Sequence, residues 1–324
     1  MKKIQKIRLT RKCIPLKTPF ITALRKVEAV EFVRVCITFD DATRSYGEAP
    51  ATKAITGEDL DTITHSIKKV TSFLIAHTPQ KALEILHTQP IGSSAKAALD
   101  IALYFANHKH IQDAPPIETD ITISFNDTQT MLDDATKAIQ EGHTLLKIKL
   151  GSEIQHAITT TRKLRETLPQ ATLLIDANQA WSLEESITYL DATNNLKLSL
   201  IEQPVAAHDL ESLRVITQHA TVPILADEAV FTLEDAKNVI ENRYADMINI
   251  KLMKCGGVTK AIEILEYARQ KNIQCMLGSM LEGPISINAA VYLAHKYKDV
   301  IAYVDLDSPL LYAGVSQEVC YKLK

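Results

Sequence analysis

The sequence predicts a parallel β/α barrel preceded by a smaller α+β unit, and three observations predict it. After residue 116, short apolar runs recur eight times with helical stretches between them. Several of those runs end in a charged residue. Before residue 115 the pattern differs, with alternating strands first and helices afterwards.

In the first unit, residues 28–39 alternate and are rich in β-branched side chains, as a half-buried strand requires. Asp40-Asp41 suggests a turn, and Arg44–Ala49 then pairs back. Helical stretches follow from Gly57 to about His77, at Gln80–His87 and at Ser93–His108. This order of strands then helices is an α+β pattern. Ala114-Pro115-Pro116 marks the boundary, because a proline pair stops a helix and stiffens a linker. The expected division is 1–115 for the small unit and 116–307 for the barrel, with residues 308–324 packing back on the small unit.

The eight apolar runs are Ile121–Phe125, Leu145–Leu150, Leu173–Asp176, Leu198–Glu202, Pro223–Asp227, Met247–Lys251, Gln274–Gly278 and Ile301–Asp305. Their spacing of about 25 residues is the period of a β/α unit. Parallel strands covered on both faces read as short continuous apolar runs, as these do. Eight such strands close a barrel whose interior side chains just fill.

Composition narrows the class of protein. The chain has 324 residues and a formal net charge of -3, which gives no reason to expect nucleic acid or an anionic membrane as partner. No apolar run reaches the roughly 18 residues of a membrane-spanning helix. The basic start, Met1-Lys2-Lys3, has no long apolar stretch behind it and does not read as a secretory signal. Five cysteines, Cys13, Cys36, Cys255, Cys275 and Cys320, are scattered and contain no CxxC pair. A reduced, cytoplasmic location is the simplest expectation. The sequence leaves open whether the chain forms a homo-oligomer.

Barrel enzymes place their chemistry at the C-terminal ends of strands. Asp176, Glu202 and Asp227 end the third, fourth and fifth runs, which are neighbours in a barrel wall. Three gathered carboxylates repel one another unless a cation sits between them. An all-oxygen set suits a hard cation, Mg²⁺ or Mn²⁺. The alternative is three solvated strand-end acids. Asn178, two residues past Asp176, fits a role orienting a ligand or, equally, a helix N-cap.

Lys147 and Lys149 are two apart on one strand, so their side chains share a face. Two adjacent ammonium groups repel, which is expected to lower a pKa and make one lysine a base near neutral pH. Lys251 ends the sixth run, opposite the second in an eight-strand ring. The alternative, surface lysines on an edge strand, remains open at this point. Together, metal and opposed lysines point to proton transfer at a carbon beside a carboxylate. The cation and Lys147 would stabilise the charge that develops, and Lys149 and Lys251 would work on opposite faces. Inversion at that carbon is the expected net result.

The motifs Lys147-Ile148-Lys149, Asp176-Ala177-Asn178, Ile201-Glu202-Gln203-Pro204, Ala226-Asp227-Glu228 and Asn249-Ile250-Lys251 resemble the enolase superfamily in its muconate-lactonizing subgroup. The resemblance covers essentially the whole chain. It implies an N-terminal α+β capping domain on a (β/α)7β modified TIM barrel. It further implies one Mg²⁺ per subunit on Asp176, Glu202 and Asp227, acid/base lysines at Lys149 and Lys251, and Lys147 as electrostatic helper. Cycloisomerases, o-succinylbenzoate synthases, N-acylamino acid racemases and dipeptide epimerases share that set, so it does not choose among them.

Two further features resemble the dipeptide epimerases. Asp305 and Asp307, in Val304-Asp305-Leu306-Asp307, match a pair that binds a substrate's free ammonium. Strand-end acids ahead of Ser308-Pro309 are the plainer reading. Thr18–Arg25 is similar to a loop that closes over the substrate in L-Ala-D/L-Glu epimerases, where an arginine matching Arg25 pairs with a glutamate side chain. A surface arginine is the alternative. Thr122, Ser279 and Met280 match positions that line the pocket in that family. The resemblance therefore implies a small dipeptide as substrate and a role in recycling cell-wall peptides. A catalytically silent barrel that only binds a ligand is the reading from another class.

Overall fold

The computed structural model describes residues 2–21, 26–109 and 115–314. Three antiparallel strands open the chain: β1 (Ile4–Ile21), β2 (Lys26–Phe39) and β3 (Arg44–Pro50), in the order β1-β2-β3. The pairing of β2 with β3 runs from Thr38↔Arg44 to Phe32↔Pro50, so the turn at Asp40-Asp41 is where the sequence places it. β1 is longer than the sequence suggests. Thr18–Ile21, expected as a loop, are the end of this strand. Residues 22–25, with Arg25, lie outside the described residues.

Four helices follow: α1 (Lys53–Thr56), α2 (Leu60–Leu74), α3 (Pro79–Thr88) and α4 (Ser93–Tyr104). α2 starts at Leu60 rather than Gly57, because Asp59 and Thr62 form a reciprocal cap that satisfies its first N–H groups. α4 is buried along almost its whole length and is rich in alanine, with Ala95, Ala97, Ala98 and Ala102 inside. Small side chains let the sheet approach closely. A Cβ added to Gly47 on β3 would lie 2.0 Å from the Ala98 carbonyl oxygen.

The barrel alternates strand and helix: β4 (Ile121–Ile123), α5 (Thr128–Gln140), β5 (Leu145–Lys149), α6 (Ile154–Thr167), β6 (Thr172–Asp176), α7 (Leu183–Thr193), β7 (Leu200–Glu202) and α8 (Leu210–His219). It continues through β8 (Ile224–Ala226), α9 (Leu233–Glu241), β9 (Met247–Lys251), α10 (Leu252–Cys255), α11 (Val258–Gln270), β10 (Cys275–Gly278), α12 (Pro284–Lys296), β11 (Ile301–Asp305) and α13 (Ser308–Leu311). The eight strands β4–β11 form one sheet in sequence order, all neighbours parallel. The seam between first and last is held by Asp120 N donating to Val304 O at 3.0 Å and Leu306 N donating to Thr119 Oγ1 at 2.8 Å.

Inside the barrel, period-two alternation sorts side chains by height. Leu145, Leu174, Leu200, Leu225, Met247 and Met276 make an apolar floor, with Tyr303 against it. Two residues further along the same faces come Lys147, Asp176, Glu202, Asp227, Asn249, Gly278 and Asp305. One strand face thus carries both the buried floor and the charged mouth. The C-terminal segment touches the first unit: Ala313 N donates to Pro15 O at 2.8 Å, and Lys17 Nζ to Leu310 O at 2.8 Å. Among the described residues no helix is long and apolar enough to cross a membrane.

Candidate active site

A cleft opens at the C-terminal ends of the barrel strands. Lys149, Asn178, Asp227, Lys251, Asp305, Asp307, Thr122, Ser279 and Met280 line it together with Phe20, Ala54, Ile55, Glu228 and Leu281. Lys147, Asp176 and Glu202 lie beneath, fully buried. So the structure gathers every sequence-predicted residue that falls within the described chain.

The floor of the cleft is a charge lattice. Lys147 Nζ stands 2.7 Å from Asp305 Oδ2, 2.7 Å from Glu202 Oε2 and 3.2 Å from Asp176 Oδ2. Lys149 Nζ lies 2.5 Å from Asp176 Oδ2, its register partner's carboxylate across β5 and β6. On the other side Lys251 Nζ is 2.6 Å from Asp227 Oδ2. Lys254, one helical turn on, donates to Asp227 Oδ1 at 2.5 Å and to Asn249 O at 2.9 Å.

At Lys147 these contacts correct the expected direction of the pKa. Burial alone pushes Lys147 down, but Asp305, Glu202 and Asp176 outweigh it and hold the ammonium well above its ordinary value. Lys251 is likewise raised, burial being overcome by Asp227. At Lys147 and Lys251 repulsion between lysines loses, because carboxylate oxygens stand within 2.7 Å of each ammonium. The acids split accordingly. Burial raises Asp176 and Asp227, yet Lys149 and Lys147 hold the first low, and Lys251 and Lys254 the second. Glu202 is pushed up to about 7 by burial and by Asp176. Burial and Asp227 take Glu228 to about 7 as well.

Among the described residues, no group of three acids, histidines or cysteines is set as a ready metal cage, because ammonium groups stand between the acids. The donor chemistry nevertheless fits a hard dication. Asp176, Glu202 and Asp227 are buried oxygen donors at the ends of adjacent strands. Glu202 Oε2 is within charge contact of Lys147 but accepts no directed hydrogen bond among the described residues. Its other oxygen accepts from Asn249 Nδ2 at 2.8 Å, which orients the carboxylate. A surplus of buried carboxyl over ammonium, with Glu202 and Glu228 both lifted to about 7, is the signature of a site short of positive charge.

Asn178 is not a helix N-cap; Ser182 caps α7. Its N–H donates to Asp176 Oδ1 at 2.9 Å and its side chain reaches Glu228 at 3.4 Å, so it ties two acids together. At the far wall, Asp307 Oδ2 accepts from Thr122 N at 2.9 Å. Burial and Asp305 raise Asp307 to about 6, while Asp305 itself is held low by Lys147 against the effect of burial.

Sequence reasoning missed Lys254 and Asp120, and gave no role to Glu228 and Asn249 although both stand in the motifs quoted above. Lys254 follows Lys251 by one helical turn and Glu228 directly follows Asp227, so both sit beside residues already marked. Asp120 gave no such signal. It is fully buried, neither carboxyl oxygen has a hydrogen-bond partner among the described residues, and burial with Asp305 raises it well above the ordinary range.

A capped eight-strand barrel with buried acids and opposed lysines at its mouth defines an enolase-type barrel. The family model described as Enolase C-terminal domain-like matches residues 130–319. Over 317 residues the chain is 53% identical to the L-amino acid-D/L-Glu epimerase of Sulfurimonas denitrificans, covering 94% of this chain and 93% of that one. The substrate-liganded L-Ala-D/L-Glu epimerase of Bacillus subtilis superposes with a TM-score of 0.91 at 35% identity, over 96% of this chain and 92% of that one. A dipeptide epimerase from Enterococcus faecalis, complexed with Mg and L-Leu-L-Tyr, gives 0.90 at 30% identity over 98% and 96%. The chain belongs to the enolase superfamily, in the branch of the L-Ala-D/L-Glu and related dipeptide epimerases.

Proposed function

We propose that the chain is a Mg²⁺-dependent dipeptide epimerase that inverts the α-carbon of the C-terminal residue of a dipeptide such as L-Ala-L-Glu. One observation carries the reading: Lys149 and Lys251 reach one cleft from strands on opposite sides of the barrel, with Asp305 and Asp307 on its wall. A dipeptide has an ammonium for that aspartate pair. Cycloisomerase and o-succinylbenzoate synthase substrates have none, and N-acylated amino acids lack the α-ammonium.

In this reading Lys149 and Lys251 flank the α-carbon, one removing its proton and the other, as ammonium, returning one to the opposite face. Lys147 stays charged, since three carboxylates surround it, and faces the charge developing on the substrate carboxylate. One Mg²⁺ per subunit, held by Asp176, Glu202 and Asp227, would supply further stabilisation of that charge and compete with the lysines for those carboxylates. Mn²⁺ suits the same oxygen donors. Asp305 and Asp307 receive the ammonium end, and Thr122, Ser279 and Met280 shape the wall beside it. The proposed division is a capping domain over 1–115 and a catalytic barrel over 116–307. Recycling of cell-wall peptides in the cytoplasm is the proposed role.

The test is incubation with a dipeptide panel and Mg²⁺ in D₂O. Deuterium is expected at the C-terminal α-position as the epimer appears. No exchange across the panel, or turnover of an o-succinylbenzoate precursor with dipeptides inert, overturns the reading. Arg25 supplies the substrate assignment: Arg25→Ala is expected to weaken L-Ala-L-Glu and spare dipeptides ending in an apolar residue.

A further inference from the structure

The loop that follows β10 carries Met280 and Leu281, which form one wall of the cleft. Its backbone is tied to the turn that carries Asp305 and Asp307. Ser279 N donates to Asp305 O at 2.9 Å, Ser308 Oγ to Met280 O at 3.0 Å, and Glu282 N to Ser308 Oγ at 3.3 Å. Tyr312, bridged to Leu16 of β1, donates its hydroxyl to Glu282 O at 2.5 Å. The side chain of Glu282 closes this loop from inside. It is 1% exposed, and its Oε1 accepts from Met280 N at 2.9 Å.

Two buried glutamates meet at this seam and differ in their partners. Glu48 of β3 pairs with Arg34 at 2.6 Å and also accepts from Ile285 N, at the start of α12, at 2.8 Å. Gly283 leaves the room that contact needs, since a Cβ there would lie 2.4 Å from Glu48 Oε2. Among the described residues Glu282 has only the Met280 N–H and the Ser286 hydroxyl, and no ammonium or guanidinium pairs with it. Burial raises it to about 7, Glu48 adding to the rise and Lys251 opposing it.

A buried carboxylate without a cation costs stability. A glutamine of the same shape would keep the acceptor for Met280 N–H without that cost. What the carboxylate adds is a stronger, charge-assisted grip on the Met280 backbone. We propose that Glu282 is a positioning residue that fixes the Met280–Leu281 wall against the Asp305–Asp307 turn, and so sets how tightly the enzyme holds its dipeptide. This rests on the epimerase reading above.

The test measures kcat, KM and thermal midpoint for wild type, Glu282→Gln and Ser308→Ala with the best dipeptide. At about pH 8, KM is expected to rise about tenfold in Glu282→Gln, the difference between a charge-assisted and a neutral hydrogen bond, with kcat within about twofold. Its midpoint is expected to equal or exceed that of wild type. Wild-type KM is expected to drift upward between about pH 8.5 and 6.5 as Glu282 takes up a proton, and the glutamine variant to lose that drift. Ser308→Ala loosens the same loop from its other anchor and is expected to show the same rise in KM with kcat held. It decides the matter should the glutamine variant not fold.

Wild-type KM and pH profile in Glu282→Gln overturn the proposal. So does a joint fall in kcat and midpoint, which is what a purely structural residue would give. An unchanged KM in Ser308→Ala does so as well. Wild-type enzyme inert toward every dipeptide sinks the epimerase reading first and this inference with it, a result distinct from active wild type with unaffected variants.

Discussion

Lys149 and Asp176 are register partners on β5 and β6, and their charges meet at 2.5 Å. Across the cleft Lys251 makes the same kind of contact with Asp227 at 2.6 Å. Each proposed base is therefore held by an acid proposed to bind the metal. In that proposal base and metal would compete for the same oxygens, which would link proton affinity to cation binding.

Removing either base separates the two half-reactions. Lys149→Ala and Lys251→Ala are each expected to lower epimerisation by about 10²–10⁴-fold, the usual worth of a positioned acid or base. The surviving lysine is expected to keep exchanging the α-proton of one epimer with D₂O. Proton NMR of the two epimers checks this, and full epimerisation by either variant would end the two-base scheme.

Chelation tests the shared acids. EDTA is expected to abolish epimerisation and added Mg²⁺ to restore it. At about 100-fold excess over its dissociation constant the ion is expected to stabilise the fold by about 2.7 kcal/mol, visible as a rise in thermal midpoint. A midpoint indifferent to Mg²⁺ would argue that the acids serve only the lysines.

Lys147 is the cation on which three buried carboxylates converge. Lys147→Met leaves those charges uncompensated and is expected to cost about 3–5 kcal/mol of stability, together with activity. Urea unfolding measures the loss. A stable, active methionine variant would contradict the lattice described above.

Asp307 gives an acid limb. Its folded pKa of about 6 lies above the ordinary 3.8, so the folded chain holds that proton more tightly. The resulting stability is complete below about pH 4 and is lost as pH rises through about 6. Ammonium binding runs the other way, because it needs the carboxylate. Accordingly kcat/KM is expected to fall below about pH 6, and Asp307→Asn to raise KM by about 10–100-fold from the loss of a charged hydrogen bond. A profile flat through that range would remove Asp307 from substrate binding.

Away from the cleft, Gly47→Ala places a methyl 2.0 Å from the Ala98 carbonyl oxygen, backbone that cannot turn aside. Overpacking of this kind costs about 1–3 kcal/mol. The denaturation midpoint is expected to drop while kcat and KM of the folded enzyme stay put.

Local pattern determined a good deal by itself. Eight apolar runs and their charged ends were readable because a strand's period of two places Leu145, Lys147 and Lys149, or Leu174 and Asp176, on one face whatever else the chain does. β1 escaped notice since it is an edge strand, exposed for most of its length and dotted with lysine and arginine, so burial imposes no alternation on it. Only the tertiary structure decided the lysine charges. Lys147 meets Asp305, distant by 158 residues, and that pairing reverses the pKa direction that its neighbour Lys149 alone suggests. Asp120 and Glu282 came to light the same way, through burial against segments remote in the chain. Periodicity is carried by neighbours in sequence, whereas solvation and Coulomb energy depend on neighbours in space.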